Sequence, residues 1–351
     1  MNALAAIASL AVHRAELDDS RLEAFVRAHP HGTFFHLPRW TAAVERGTRQ
    51  RGHYLVAEQS GAVRGVLPLT EIRSPLFGNA LVSAGFGTGG GILAGDERAA
   101  EVLARAAWEL AGRLGCRSAE LRGGPIPEGW QASADVYASF SRDLPDSAAQ
   151  LLASIPRRQR AEVRRALTFG LESSSGTDRR HRDAHYRVYA ESVRNLGTPV
   201  FPRGLFEAAL DAFGDEARID LIWKDGRPLA AILSFTFDGC CHLHWGGGTR
   251  EGRQWRANDL VYYEVMRRAI ARGCARADFG RSKLGTGPWE RKRIWGFDEA
   301  PLTYAVRAAD GEAPRAVNPL DPKYRLKIAA WQKLPLWAAN RLGPLIARGL
   351  G

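Results

Sequence analysis

The feature that most constrains this 351-residue chain is that it repeats itself. Residues 54–69, YLVAEQSGAVRGVLPL, and residues 219–234, IDLIWKDGRPLAAILS, each read as strand, turn and strand, with the turns centred on Gly61 and Gly226, 165 positions apart. Downstream, GTGGGILAG (87–95) is answered by WGGGTREG (245–252), and each precedes a helical pattern, at 98–115 and at 257–273. Both helical patterns run into a glycine, Gly115 or Gly273, suited to a left-handed cap. Each glycine is followed by a cysteine and a strand bearing one acid, Glu120 in the first half and Asp278 in the second. Upstream, FFHLPRWTAAV and VFPRGLFEAAL also correspond. Four matches in one order predict an α/β (α+β) protein of two similar domains, residues 10–145 and 180–312. A basic helical linker, 146–179, would join them, and a basic amphipathic tail, 313–351, would follow.

Forty-nine Lys and Arg against 38 Asp and Glu leave a net charge of +11, which favours an anionic partner without choosing among nucleotide, tRNA, phospholipid and anionic precursor. No run of 18 apolar residues exists, so no spanning helix is expected, and the apolar start lacks the basic flank of a signal peptide. The cytoplasm is therefore the expected location. Cys116, Cys240, Cys241 and Cys274 form no CxxC pair and read as small core residues of a reducing compartment. His242 and His244 alternate in CCHLHWGG and would share a strand face, but no acid or further cysteine completes a ligand set nearby, so no metal is expected. After Asp321 the tail has no acid and carries Lys323, Arg325, Lys327, Lys333, Arg341 and Arg348 among Leu, Ile and Trp, with Pro335 and Pro344 expected to break it into short helices. It reads either as an element in peripheral contact with the inner face of the cytoplasmic membrane or as a helix packed on the domains.

Two stretches could carry chemistry. HWGGGTREGRQWRAND sets flexible backbone and Arg250, Arg253 and Arg256 before a helix expected to begin near Asn258, a good N-cap residue. Free N–H groups and the helix dipole at such an end attract phosphate. DFGRSKLGTGPWERKRIWGF, 278–297, places Asp278 on a strand, then Arg281, Ser282 and Lys283, then Lys292 among Trp289, Trp295 and Phe297. A lysine between aromatic walls is suited to steadying developing negative charge. Arg157 and Arg158 open an arginine-rich helix that either reaches toward an anionic substrate or is a solvated linker. No Ser/His/Asp set, P-loop or dinucleotide fingerprint is apparent.

With FHLPRW, NLGTPVFP, RANDLVYYEVMRRAIARG, DFGRSKLGTG and ERKRIWGF in this order, the chain resembles the FemAB-like proteins over nearly its whole length, and in particular their branch associated with exosortase/PEP-CTERM systems. The resemblance implies two tandem acyl-CoA N-acyltransferase (GNAT)-like domains. It also implies transfer of an acyl or aminoacyl group, from acyl-CoA or aminoacyl-tRNA, to an amine of a cell-envelope or exopolysaccharide precursor. No tightly bound cofactor is implied. In the peptidoglycan relatives a Phe-Lys pair before Gly-Phe supplies the lysine; here Lys292 is kept and the Phe is replaced by Arg291. The catalytic candidates are Lys292, Arg281 and, as base, Asp278. Donor or substrate candidates are Arg250, Arg253, Arg256, Asn258, Ser282, Lys283, Trp289, Trp295, Arg157 and Arg158. An acyl-CoA-dependent N-acyltransferase acting on a small molecule and a non-catalytic anion- or membrane-binding scaffold are the competing readings.

Overall fold

The computed structural model describes residues 9–312 and 322–351, so the apolar start and residues 313–321 of the tail lie outside the described residues. The chain forms two compact units. The first takes the described residues up to Ser133, Thr303 to residue 312, and Arg348–Gly351; the second takes Ala134–Leu302 and residues 322–347.

The first unit runs β1 (Ala11–Arg14), α1 (Ser20–Ala28), α2 (Pro38–Thr48), β2 (Arg51–Gln59), β3 (Ala62–Ile72), β4 (Ala80–Ser83), β5 (Leu93–Ala94), α3 (Glu97–Arg113) and β6 (Ser118–Arg122). Its sheet has the order β1-β2-β3-β4-β6 and is completed by Tyr304–Ala308 of β13 (Asp298–Ala308), with β5 paired to β3. Leu67, Leu69, Leu81 and Leu121 of the sheet pack on Leu103 and Ala107 of α3. Asp96 caps α3 by accepting from the Ala99 N–H at 2.8 Å.

The second unit runs β7 (Gln131–Asp143), α4 (Ala148–Ser154), α5 (Arg157–Leu167), β8 (Glu172–Gly176), α6 (Arg179–Asn195), α7 (Arg203–Phe213), β9 (Ala217–Lys224), β10 (Arg227–Phe237), β11 (Cys240–Gly248), α8 (Ala257–Ala271), β12 (Arg276–Lys283) and α9 (Gly287–Ile294). Its sheet has the order β7-β12-β11-β10-β9-β8. The stretch expected as a linker thus supplies α4, α5 and β8 to this unit. Phe140, Ile232, Val261, Val265 and Phe279 build its core.

The duplication shows in backbone detail. Ser60-Gly61 and Asp225-Gly226 are two-residue hairpin loops with both residues at positive φ, the turn that matches strand twist. Each is followed by a bulge three residues past the glycine, at Arg64 and at Leu229, again 165 positions apart. Gly115 (φ +67) and Gly273 (φ +81) close α3 and α8, and in both cases the next cysteine N–H donates to the carbonyl five residues back, Cys116 to Ala111 and Cys274 to Ala269. Both units also contain a short parallel pairing of the same form: β4 with β6 over Ala80–Val82 and Ser118–Glu120, and β11 with β12 over Cys240–His242 and Arg276–Asp278. Cys116, Cys241 and Cys274 are buried, Cys240 is partly so, and all four are free.

The tail forms α10 (Pro322–Lys333) and α11 (Leu336–Ala347). Pro335 separates them as expected. Pro344 does not break the second helix; α11 runs through it.

Gly91 lies where a side chain has no room: its N–H donates to the Arg122 carbonyl at 2.9 Å, and a Cβ would stand 1.8 Å from the Gly123 carbonyl oxygen. That wall is backbone and cannot rotate away. Gly91→Ala should therefore cost about 1–3 kcal/mol, read as a lower urea midpoint with an unchanged m-value; an unchanged midpoint would contradict this packing.

Candidate functional site

The candidate site sits in the second unit where β11 and β12 part. They pair only as far as His242 and Asp278. Just beyond, each strand carries a bulge. On β11 the register against β10 slips so that Leu233 faces Trp245 and Ser234 faces Leu243, leaving His244 as the extra residue. On β12 the register against β7 slips between Asp278 and Arg281, at Gly280 with φ +65. At the first bulge the sequence neighbours Leu243 and His244 both line the cleft, and His242 remains close enough to act on the charge of His244. Among the described residues no metal-binding cluster is found.

The cleft is about 470 Å³ and is lined from β11, α8, β12 and α9 by Gly246–Gly248, Asn258, Tyr262, Phe279, Arg281, Ser282, Arg291 and Lys292, with Ser192 from α6. The glycine run is a matter of space. A Cβ on Gly247 would stand 2.2 Å from Ser192 Oγ, and one on Gly248 would stand 2.0 Å from Asn258 Oδ1. Tyr262 packs on Phe279 (4.7 Å between centroids) and edge-on to Trp295 (5.5 Å).

Lys292 is the chemical centre of the cleft. Its Nζ donates to the carbonyls of Gly280 (3.1 Å) and Arg281 (2.9 Å), which the bulge exposes, and lies 5.5 Å from the Phe140 ring. An ammonium has three N–H donors, so one remains for a ligand. Desolvation pulls Lys292 down to about 7, with Arg281 adding to the fall and Asp278 opposing it. Asp278 is also desolvated, which would raise its pKa. Hydrogen bonds from His242 Nδ1 (3.2 Å) and the Gly280 N–H (2.5 Å), together with the Lys292 charge, outweigh this and lower it. An ionised carboxylate with both oxygens engaged suits holding charge better than taking a proton. The buried His244 ring is pulled down to about 3, so it faces the cleft neutral.

Beside the cleft lies a second pocket of about 360 Å³, lined by Arg158, Glu162, Arg253, Arg256, Asn258, Asp259 and Arg291. Arg253, Asn258 and Arg291 line both spaces. Glu162 is paired with Arg256, and Asp259 with Arg291 at 2.8 Å, so the remaining arginines leave positive charge in excess. No side chain caps α8 there: the residue before it, Arg256, is left-handed (φ 56), in contrast to the Asp96 cap of α3. An uncapped helix start among arginines is suited to a phosphate.

Of the residues singled out by sequence, the structure brings together Lys292, Arg281, Ser282, Asn258, Arg253, Arg256 and Arg158, with Asp278 behind the lysine. The others lie elsewhere. Asn258 is no N-cap, since α8 begins at Ala257; its side chain meets Gly248 instead. Trp295 is fully buried core. Trp289 donates to Glu299 at 2.7 Å and stacks under Arg293. Lys283 lies by the Tyr137 ring, Arg157 is exposed at the start of α5, and Arg250 lines a separate pocket with Arg187 and Arg227. Ser192, Asp259 and Tyr262 were not picked out, and His244 was weighed only as a metal ligand. Tyr262 follows Asn258 by one helical turn and was legible in principle; Ser192 reaches the site only through tertiary packing.

The first unit treats the same place differently. Arg122, two residues past the last paired position as Gly280 is, turns its buried guanidinium to the carbonyls of Gly87 (2.8 Å) and Gly351 (3.3 Å) and pairs with Glu120 at 2.7 Å. The Phe35 ring packs on Gly87 and Gly89, and its Cβ and carbonyl lie against Gly90.

Comparison with known proteins agrees with this architecture. Residues 155–291 match the Acetyltransf_6 family, described as an acetyltransferase (GNAT) domain. The solved structure of FemX aligns at a TM-score of 0.65 and 16% identity, over 90% of this chain and 99% of that one. A tandem GNAT protein from the clavulanic acid biosynthesis pathway aligns at 0.56 and 12%, over 87% and 100%. The C-terminal (DUF2156) domain of a protein described as a lysylphosphatidylglycerol synthetase from Agrobacterium fabrum aligns at 0.53 and 14%, over 82% and 90%. A search of curated proteins finds no match. The chain has a mixed α/β, tandem GNAT-like fold.

A lysine lowered to about 7 in the native state and near 10.4 when unfolded binds fewer protons folded between those values, so this group makes stability rise with pH across that window. The native state carries the full penalty below about pH 7. Lys292→Met removes it, so the urea midpoint of the variant relative to wild type should be highest near pH 6 and decline toward pH 9; a pH-independent difference would contradict the desolvated lysine.

Proposed function

We propose that the second unit is an acyl or aminoacyl transferase that forms an amide on an amine of a cell-envelope or exopolysaccharide precursor. The observation that carries this is the adjacency of two spaces: a cleft between parted strands holding a desolvated lysine, and an arginine-lined pocket at an uncapped helix start. A donor needs both, an anionic handle and a reactive carbonyl. Arg158, Arg253 and Arg256 take the phosphates of aminoacyl-tRNA or acyl-CoA, and the acyl carbonyl enters the cleft.

The acceptor amine attacks the ester or thioester carbonyl carbon, the C–N bond forms, and the carbonyl oxygen becomes an oxyanion. The free N–H of Lys292 donates to it, with Arg281 adding positive potential. Collapse breaks the C–O or C–S bond, and the proton lost by the amine ends on the leaving hydroxyl or thiol. Asp278, held ionised by His242 and the Gly280 amide, keeps the lysine charged and placed. The FemX likeness and the sequence resemblance favour the aminoacyl donor. The tandem GNAT neighbour keeps acyl-CoA, and with it a small-molecule acceptor, as a second reading.

Thermal shift assays with a CoA thioester and with charged tRNA should show stabilisation by one donor only, on the order of 2.7 kcal/mol at a hundredfold excess over Kd. Arg158→Ala with Arg253→Ala should weaken that shift, and Arg250→Ala should leave it unchanged. Lys292→Ala should cut turnover by about a hundredfold or more with little change in donor binding. No shift with either donor would favour a non-catalytic scaffold, and undiminished turnover would remove Lys292 from the reaction.

A further inference from the structure

The two tail helices lie on the second unit in a way that leaves part of their surface unexplained. They are fixed through small residues and backbone. The Gln332 amide donates to the Asn195 carbonyl at 3.1 Å, and Arg194 donates to the Gln332 carbonyl at 3.0 Å. Gly343 abuts Val200, and Gly197 abuts Ile328. On α11, Ala339 and Ala347 are buried with Gly343 between them, at i, i+4 spacing. Trp337, Arg341 and Leu345 form a second i, i+4 stripe, about 200° around the helix from the first, and it faces outward: Trp337 is 74% exposed and Leu345 65%, with Leu342 beside them at 46%. On α10, Leu326 is 84% exposed. A folded surface rarely shows so many large apolar side chains on consecutive elements without a use for them.

The charge around them is of one sign. Between Pro322 and Ala347 the chain has no Asp or Glu, and Arg325, Lys327, Lys333 and Arg341 are all exposed. A second copy meeting this face about a two-fold axis would set the same basic residues opposite one another, which is unfavourable. Tryptophan and leucine projecting among Arg and Lys match a bilayer surface instead, with the apolar groups at the acyl boundary and the basic groups at headgroup phosphates. No helix among the described residues is long and apolar enough to cross a membrane. The geometry points to α10 and α11 as a docking face for an anionic lipid bilayer, a pre-folded platform on the second unit. It stands independently of the reaction assigned above.

The test is sedimentation of the full chain with vesicles of phosphatidylcholine containing 30% phosphatidylglycerol, against phosphatidylcholine alone, at about 0.15 M salt. Binding should be strong to the anionic vesicles and weak to the neutral ones. Trp337→Ser with Leu345→Ser should lower the partition coefficient by about tenfold or more while the melting temperature stays unchanged, because both side chains are exposed. Arg341→Gln should weaken anionic binding by about fivefold and leave neutral binding unaltered. No sedimentation with anionic vesicles, or sedimentation insensitive to these substitutions, would overturn the proposal. So would self-association in lipid-free solution that Trp337→Ser abolishes, since it would assign the face to a second copy.

Discussion

The parting of β11 and β12 is the constraint on which the rest of the second unit depends. A parallel pair that stays bonded leaves no room for a ligand, and one that never pairs leaves the sheet unjoined. Three paired positions followed by a bulge on each strand meet both needs. The β12 bulge also turns the carbonyls of Gly280 and Arg281 toward Lys292, so the deformation that opens the cleft seats the residue within it. Gly280 takes the left-handed conformation this requires at little steric cost. Gly247 and Gly248 at the end of β11 then let α6 and α8 close to within contact of the cleft wall.

The halves share this plan and use it differently. In the first unit the parallel pair is just as short, but two residues past it stands an arginine whose guanidinium is spent on backbone carbonyls and on Glu120, and an aromatic ring lies over the glycine loop. The helix that follows is capped by its own aspartate in the first unit and left without a side-chain cap among arginines in the second. The same backbone is thus closed by side chains in one unit and left without a side-chain cap in the other. The resemblance stated from sequence, in which a phenylalanine is replaced by Arg291, gains a physical meaning here: Arg291 pairs with the buried Asp259 at the boundary of the cleft and the basic pocket.

Legibility from sequence followed the range of the interactions. The repeat was readable because turns, glycine caps and strand acids are local signals, and the offset of 165 positions held down to the bulges at Arg64 and Leu229. Lys292, Arg281 and Arg253 were readable because charge and glycine cluster around them. Trp295 was misjudged because an aromatic residue beside a lysine looks alike whether it faces a ligand or the core, and only packing against Tyr262 and Phe279 decides. The His244 bulge was invisible because alternation in CCHLHW reads as an unbroken strand. Asn258 failed as a cap because Arg256, in an unusual left-handed conformation, starts the helix sooner. Pro344 was tolerated because α11 packs on the second unit, and tertiary contact outweighs a lost turn.

The central claim is that Lys292, desolvated at the parting of the strands, acts as a cation on the developing oxyanion. The pH dependence of kcat/KM for amide formation, compared between wild type and Lys292→Arg, tests it most directly. In wild type the profile should fall as pH rises through about 7, where the ammonium is lost. In the arginine variant, whose charge persists, that falling limb should move upward by about 2 units or more, even if the rate is reduced. The same falling limb in both proteins would show that the titrating group is not Lys292 and would contradict the account.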